Sequence, residues 1–281
     1  MTQRQGSIIR RRILARRLEQ LRRDAGLRLE DAAPQLDWSV SKLSRIENAM
    51  QSVDVHAVRS MLDLYDAGEE WVELLDLTRE ARKRPWWSVY RVGRRALYVG
   101  HESEASEVQE YAVGFVPGLL QTPDYARALF TSAPVRRTAD QLANDVEMRM
   151  IRQRRLTSTE DRLELVAVID EMVLRRPIGG PDVLRGQLRH LLEAAALDTV
   201  TVQVLPIDVG AHAGLGSGFI VLNFGDLGEP DIAYVEHALG ALFLEKEEDV
   251  TRARLAFDRV RADALAPAES LDLIRRLAEQ T

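Results

Sequence analysis

Residues 18–48, LEQLRRDAGLRLEDAAPQLDWSVSKLSRIEN, carry the local signals that set the fold of the N-terminal part of this chain. Leu14, Leu18, Leu21 and Ala25 are spaced four, three and four apart, which puts them on one face of a first helix. Gly26 stops that helix, because glycine enters the left-handed conformation without steric cost. Leu27 and Leu29 lead into a second helix holding Ala32, Ala33 and Leu36, whose small residues permit close helix approach. Ser39 then offers an N-cap for a third helix, anchored by Leu43 and Ile46. That pattern leaves Val40, Ser41, Ser44 and Arg45 facing outward. Two short helices joined by a tight turn, the second presenting small and polar residues with one Arg, suit the major groove of a duplex. Double-stranded DNA is the expected partner. Outward from this stretch, Val55, Val58, Leu62 and Tyr65 mark a fourth helix, and a fifth is expected from Glu70 to about Lys83.

The charge distribution agrees with that expectation. The whole chain carries −6, but residues 1–50 hold 11 Lys and Arg against 6 acids, a balance of +5 that leaves −11 on the remainder. Within residues 1–28 there are nine Arg and two acids. Phosphate attraction follows the local field, so an acidic second part does not oppose binding and helps keep that part off the duplex. At 281 residues and 46% hydrophobic content the chain has material for two domains with real cores. It lacks an apolar run of membrane-spanning length and a signal-peptide core, and with no Cys it has neither disulfides nor thiolate metal sites. A cytoplasmic, nucleoid-associated protein with no cofactor and no membrane partner is expected.

The phrase SKLSRIEN at Ser41–Asn48 resembles the recognition helix of the xenobiotic-response-element-type helix-turn-helix, an all-α, lambda-repressor-like fold. The resemblance implies that Val40, Ser41, Ser44 and Arg45 face base edges, and that Ser39, Lys42 and Asn48 contact phosphates. It also implies a structural ion pair between Arg22 and Glu47 that ties the first helix to the recognition helix. Elementary chemistry adds to this. The fork of Arg45 matches guanine O6 and N7, or else a phosphate. Lys42, a flexible point charge, suits phosphate, and Glu47 would be repelled by it. Two positions depart from the pattern. Asp37 stands where the turn normally has Gly and must enter the left-handed region at some cost, and Pro34 lies inside the second helix, where its missing N–H shortens or kinks it.

Residues 82–95, RKRPWWSVYRVGRR, bring six Arg and Lys together with Trp86, Trp87 and Tyr90. Aromatic residues among basic ones suit nucleic-acid stacking, but paired Trp at a junction more often anchor packing between domains. The boundary is placed near residue 85: a helix-turn-helix domain over 8–84, a basic and aromatic junction over 85–100, and a larger domain over 101–281.

In the larger domain helical and strand patterns alternate. Residues 139–156 are helical, Leu163–Ile169 is an apolar run of strand length, and a helix holds Val183, Leu184, Leu188, Leu191 and Leu192. Val200, Val202 and Val204 alternate in a strand that Pro206 ends. Further strands fit Phe219–Phe224, Ile232–Glu236 and Ala241–Leu244, followed by a long helix from Val250 to Ala264 and one more through Leu271, Ile274 and Leu277. The expected class is mixed α+β with a small, mostly antiparallel sheet. The blocks VPGLLQTPDYARALF at 116–130, MRMIRQ at 148–153, DEMVLRRPIGG at 170–180 and VQVLPIDVGAHAGLGSGF at 202–219 resemble, in order, the domain that follows the helix-turn-helix in actinobacterial regulators of the WhiJ-like group. Ala213, after His212, departs from the usual Pro. The resemblance implies transcription control, often with a small partner protein.

Chemistry in this domain is expected to be binding rather than catalysis. GAHAGLGSG at 210–218 lacks the Lys and following helix of a phosphate-binding loop, and Ser217 lacks a nucleophile elbow. The five His show no metal-ligand spacing, so no metal and no catalytic residues are assigned. Gln121, Arg127, Arg149, Arg152, Glu171, Arg175, His212 and Glu236 are the candidates for contacting an effector or partner. Arg149 and Arg152 share a helix face and suit an anion, or an internal pairing with Glu171 or Glu236. The chain is thus expected to act as a homodimeric, sequence-specific transcriptional regulator whose larger domain makes dimer contacts and senses a small molecule or partner protein. The main alternative is an antitoxin-like module that sequesters a small partner protein and binds DNA for autoregulation. A metabolite-modifying enzyme with a DNA-binding appendage is a weaker one.

Overall fold

A computed structural model describes residues 7–90, 96–134 and 136–281. Arg91–Arg95 of the basic junction lie outside the described residues. The chain folds as two compact units. The first ends at Glu104 and takes in Asp226–Glu229; the second comprises Ala105–Gly225 and Pro230–Thr281.

The first unit is helical: α1 (Ile8–Asp24), α2 (Leu29–Gln35), α3 (Val40–Glu47), α4 (Val55–Leu64), α5 (Trp71–Arg82) and α6 (Ala96–Glu102). Leu14, Leu18 and Leu21 of α1 meet Ala32 and Ala33 of α2, Leu43 and Ile46 of α3, and Val58, Met61 and Leu62 of α4 in one core. The helix ends follow one rule. In α1 to α4 the residue after the C-cap adopts a positive φ: Gly26 at +71°, Asp37 at +55°, Ala49 at +56° and Asp66 at +56°. Each end then closes with two backstitched amide bonds, such as Trp38 N to Ala33 O at 2.9 Å and Met50 N to Arg45 O at 2.8 Å. These satisfy carbonyls that the helix leaves open. Only the first of the four positions holds the glycine that this geometry favours. Pro34 is accommodated near the end of a helix of seven residues. In the junction, Trp87 is buried and packs on Gly100 of α6, where a Cβ would come 3.3 Å from its ring. Its anchoring role is therefore seen within the first unit. Trp86 meets it edge-on.

The second unit is a six-stranded open sheet with helices. Its elements are β1 (Glu107–Ala112), α7 (Pro123–Ser132), α8 (Ala139–Gln153), β2 (Glu164–Asp170), α9 (Glu171–Arg175), α10 (Pro181–Ala194), β3 (Val200–Leu205), β4 (Phe219–Asn223), β5 (Ile232–His237), β6 (Gly240–Leu244), α11 (Glu247–Asp263) and α12 (Pro267–Gln280). The strand order is β3-β2-β1-β4-β5-β6. Three of the five pairings are antiparallel, as the mixed α+β expectation required, and two, β1–β2 and β2–β3, are parallel. The parallel pairings follow from the helical crossovers between β1, β2 and β3. The five expected strands appear within two residues of their predicted limits. The central β1 was not anticipated, because Glu107, Gln109 and Glu110 interrupt the apolar alternation.

Side chains alternate across the sheet. Tyr111, Val168 and Phe219 share one face and pack on Phe257 and Val260 of α11. On the opposite face, Glu110, Ile220 and Tyr234 form a cross-strand row. Beside β3, the Val204 amide donates to Ser270 Oγ at 2.9 Å and its carbonyl accepts from Leu265 N at 2.9 Å, which occupies this edge of the sheet. Among the described residues no helix is long and apolar enough to cross a membrane.

Candidate nucleic-acid interface and polar clusters of the second unit

The outward face of α3 rests on a fixed inner one. Leu43 and Ile46 are buried, and Ser39 caps the helix by accepting a bond from Lys42 N at 3.2 Å. Val40, Ser41 and Arg45 are exposed and Ser44 is half-buried. Of the residues proposed to face phosphate, Ser39 is exposed with its hydroxyl engaged in the cap. Asn48 donates to the Ser44 carbonyl at 2.8 Å. Lys42 places its ammonium 3.8 Å from the centroid of the Trp38 ring, so α2–α3 turn residues already orient this cation.

Arg22 and Glu47 lie together beneath this helix. The guanidinium donates from Nε and Nη2 to the two carboxylate oxygens, both at 2.8 Å, and from Nη1 to Leu27 O at 2.6 Å. Both side chains are buried. The bond to Glu47 raises the Arg22 pKa further, against the effect of burial, so the pair stays charged. Tyr65 stands beside it, its hydroxyl buried without a hydrogen-bond partner and its pKa pushed up by burial and by the Glu47 charge. One fork thereby ties α1 and the turn before α2 to α3. Other arginines of the basic N-terminal stretch are paired too: Arg10 with Glu104, Arg17 with Glu70 and Arg23 with Glu19. The count of nine Arg therefore overstates the free positive field.

The eight candidates of the second unit fall into separate places. Gln121, Arg149 and Arg152 come together, all buried. Arg149 donates to Gln121 Oε1 at 2.9 Å and lies over the Phe130 ring at 4.8 Å, while Gln121 donates to Val116 O at 2.7 Å. A Cβ on Gly118 would stand 2.7 Å from Arg149 Nη1 and 3.6 Å from Arg152 Nη2. Gln153 adds bonds to the carbonyls of Gly118 and Gln121. This cluster fastens the loop after β1 onto α8. Glu171 and Arg175 form an i, i+4 pair, and Glu171 also accepts from Ile207 N at 3.0 Å. Burial pushes the Glu171 carboxyl up, but the Ile207 amide and Arg175 outweigh it and hold it below the usual range. His212 lies edge-on to Tyr111 and accepts from Gly214 N at 3.2 Å. Arg127 is exposed on α7. Glu236 is exposed on β5 and lines a cavity with Glu110, Tyr234 and Phe115. Sequence reasoning does not reach the last three, because Glu110 sits in EVQEYA, a segment too polar to announce a buried strand.

Residues 13–75 match the family model of a helix-turn-helix domain, and residues 95–276 match that of a domain of unknown function, DUF5753. No curated protein and no solved structure matches the chain. The N-terminal match covers α2 and α3 and the buried pair that holds them. The second covers well over half the chain, which therefore belongs to the DUF5753 family and carries a helix-turn-helix domain at its N-terminus.

Proposed function

We propose that this protein is a sequence-specific DNA-binding transcriptional regulator of the xenobiotic-response-element type, akin to the actinobacterial WhiJ-like group. It acts at the nucleoid as a homodimer, and its second unit senses a small ligand or a partner protein. The observation that carries this reading is the α3 face: Val40, Ser41 and Arg45 are exposed on a helix pinned from beneath by Leu43, Ile46 and the buried Arg22–Glu47 pair. A base-reading surface has to be both free and rigid, since a loosely held helix loses register on the groove. Arg45 reads a base edge, while Lys42 neutralises a phosphate. The helix-turn-helix match supports DNA binding. Dimerisation follows from economy, because one helix of eight residues touches few base pairs and a two-fold axis doubles the site. The second unit acts by binding rather than catalysis, shifting the spacing of two half-sites if its ligand prefers one arrangement.

Selection of bound sequences from a random duplex pool, with full-length protein at near-physiological salt, tests this. The expected result is a two-fold-symmetric site with half-sites about one helical turn, near 10 bp, apart. A folded protein that enriches no sequence overturns sequence-specific binding.

A further inference from the structure

Arg11 stands apart from its neighbours on α1. Arg10, Arg16, Arg17, Arg22 and Arg23 each hold a carboxylate, whereas Arg11 holds none. Its Nε is buried without a hydrogen-bond partner. Burial first, and Arg12 beside it, push its pKa below the usual guanidinium range. The first turn of α1 holds no acid, so the positive end of the helix adds to this charge. A partly buried guanidinium left this way costs free energy that an apolar side chain would not, unless an anion completes it.

The space for such an anion is small and defined. A cavity of about 10 Å³ lies between α1, the loop after α3 and α5, all within the first unit. Arg11, Gln51, Ser52 and Arg82 line it over an apolar floor that includes Leu14 and Ile46. Among the described residues that line it, two are basic and none is acidic. Asp54, the next acid along the loop, is committed elsewhere: it accepts from Ala57 N at 2.9 Å to cap α4. A volume of this size admits one water-sized atom. A single oxygen of an oxyanion fits, with the rest of the anion at the mouth beside Ser52 and Arg82, both exposed. A base, a sugar or an organic head group does not.

The same loop sets where the cavity lies relative to α3. Met50 N and Gln51 N both donate to the Arg45 carbonyl, at 2.8 and 3.0 Å, so the lining begins just past the exposed face of that helix. A helix laid across the major groove is flanked by the two phosphate backbones that wall it. Guanidinium forks match phosphate oxygens in charge and in shape.

We propose that Arg11, Arg82 and the Gln51–Ser52 loop form a phosphate-oxygen site, and that the phosphate it takes belongs to the duplex backbone beside the end of α3. The duplex as source rests on the DNA-binding reading above; the oxyanion site does not.

Two measurements on the full-length protein test this. Binding to a mixed-sequence duplex is followed across a salt series, which needs no operator and so survives a failed sequence selection. Arg82→Gln and Arg11→Met should each weaken binding about ten-fold and reduce the salt slope by about one, with thermal unfolding unchanged or raised. Arg79→Gln, which removes a charge from α5 outside the cavity, should keep the wild-type slope. Inorganic phosphate is then titrated at constant ionic strength while the Arg11 Nε–H resonance is followed by NMR. A saturable shift in the millimolar range, lost in Arg82→Gln, is expected. A phosphate shift with unchanged slopes, or with no duplex binding by the wild-type protein, overturns the duplex as source and leaves a site for a free phosphate compound. Reduced slopes without a phosphate shift support the duplex backbone alone. An equal slope change in Arg79→Gln assigns the effect to the general field and overturns the duplex source. Unchanged slopes with no phosphate shift overturn the site, and the cavity then holds an ordered water only. Loss of stability in Arg11→Met overturns Arg11 as an anion ligand; Arg82→Gln, at an exposed position, then decides the site.

Discussion

Arg45 on α3 and Arg149 on α8 are both guanidinium groups on amphipathic helices, and the fold treats them in opposite ways. Arg45 is exposed above a buried inner face, while Arg149 is buried on Gln121 and Phe130. In sequence the two look alike, each a cation at helical spacing among apolar anchors. What separates them is what lies opposite. The short α2–α3 turn leaves the outer side of α3 facing outward in its unit, whereas the loop after β1 folds back over α8. A polar residue in an apolar segment thus signals either a partner or a clamp, and helix spacing does not tell which.

Removing the deepest clamp should have the largest effect. Arg22→Ala strands Glu47 in a buried site and is expected to cost about 3–5 kcal/mol, read by chemical denaturation. A loss below about 1 kcal/mol would show that α3 is held by its apolar contacts alone. Arg149→Ala, which leaves Gln121 Oε1 short of a donor, should lower stability by about 1–3 kcal/mol and leave the selected DNA sequence unchanged. A stable variant that instead loses ligand response would move Arg149 from clamp to site. Arg45→Ala is its mirror image: unfolding should be unaffected while preference at one base position relaxes by about 1–3 kcal/mol. An unaltered preference profile removes Arg45 from base reading. Lys42→Ala is expected to weaken all sequences alike and to reduce the salt slope by about one. Smallest of all, Ala49→Gly should raise stability by up to about 1 kcal/mol, since alanine is held at φ +56° where glycine is at ease. Destabilisation there would mean that the Ala49 methyl contributes more packing than its backbone strain costs.

The first unit was largely legible before its structure was known. Leu14, Leu18 and Leu21, the Gly26 stop, the Ser39 cap and the anchors Leu43 and Ile46 all act over three or four residues, and all appear where spacing placed them. The positive φ of Asp37 was legible too, from its place in the turn. Ala49 was not, because alanine carries no mark of a left-handed residue and is held there by the Met50 and Ala49 amide bonds. In the second unit the strands with Val and Ile alternation were found, and β1 was not. EVQEYA is polar by composition and becomes the centre of the sheet only because β2 and β4 flank it.

By itself, then, the sequence determined helices α1 to α5, α8 and α10 to α12, though not α6, α7 or α9, together with the Gly26 stop, the Ser39 cap, the basic character of the N-terminal stretch and five of the six described strands. Each of these is written in residues a few positions apart, where helix rise, strand alternation and turn geometry act directly. The tertiary structure alone decided which strands run parallel, that β1 lies at the centre, that Arg149 and Arg152 close on a loop, and that Glu110 and Glu236 share a cavity. Those outcomes depend on residues far apart in the chain, from the 28 positions between Gln121 and Arg149 to pairs more than a hundred apart such as Glu110 and Ile220, and their meeting is chosen by the burial of whole faces rather than by any local spacing.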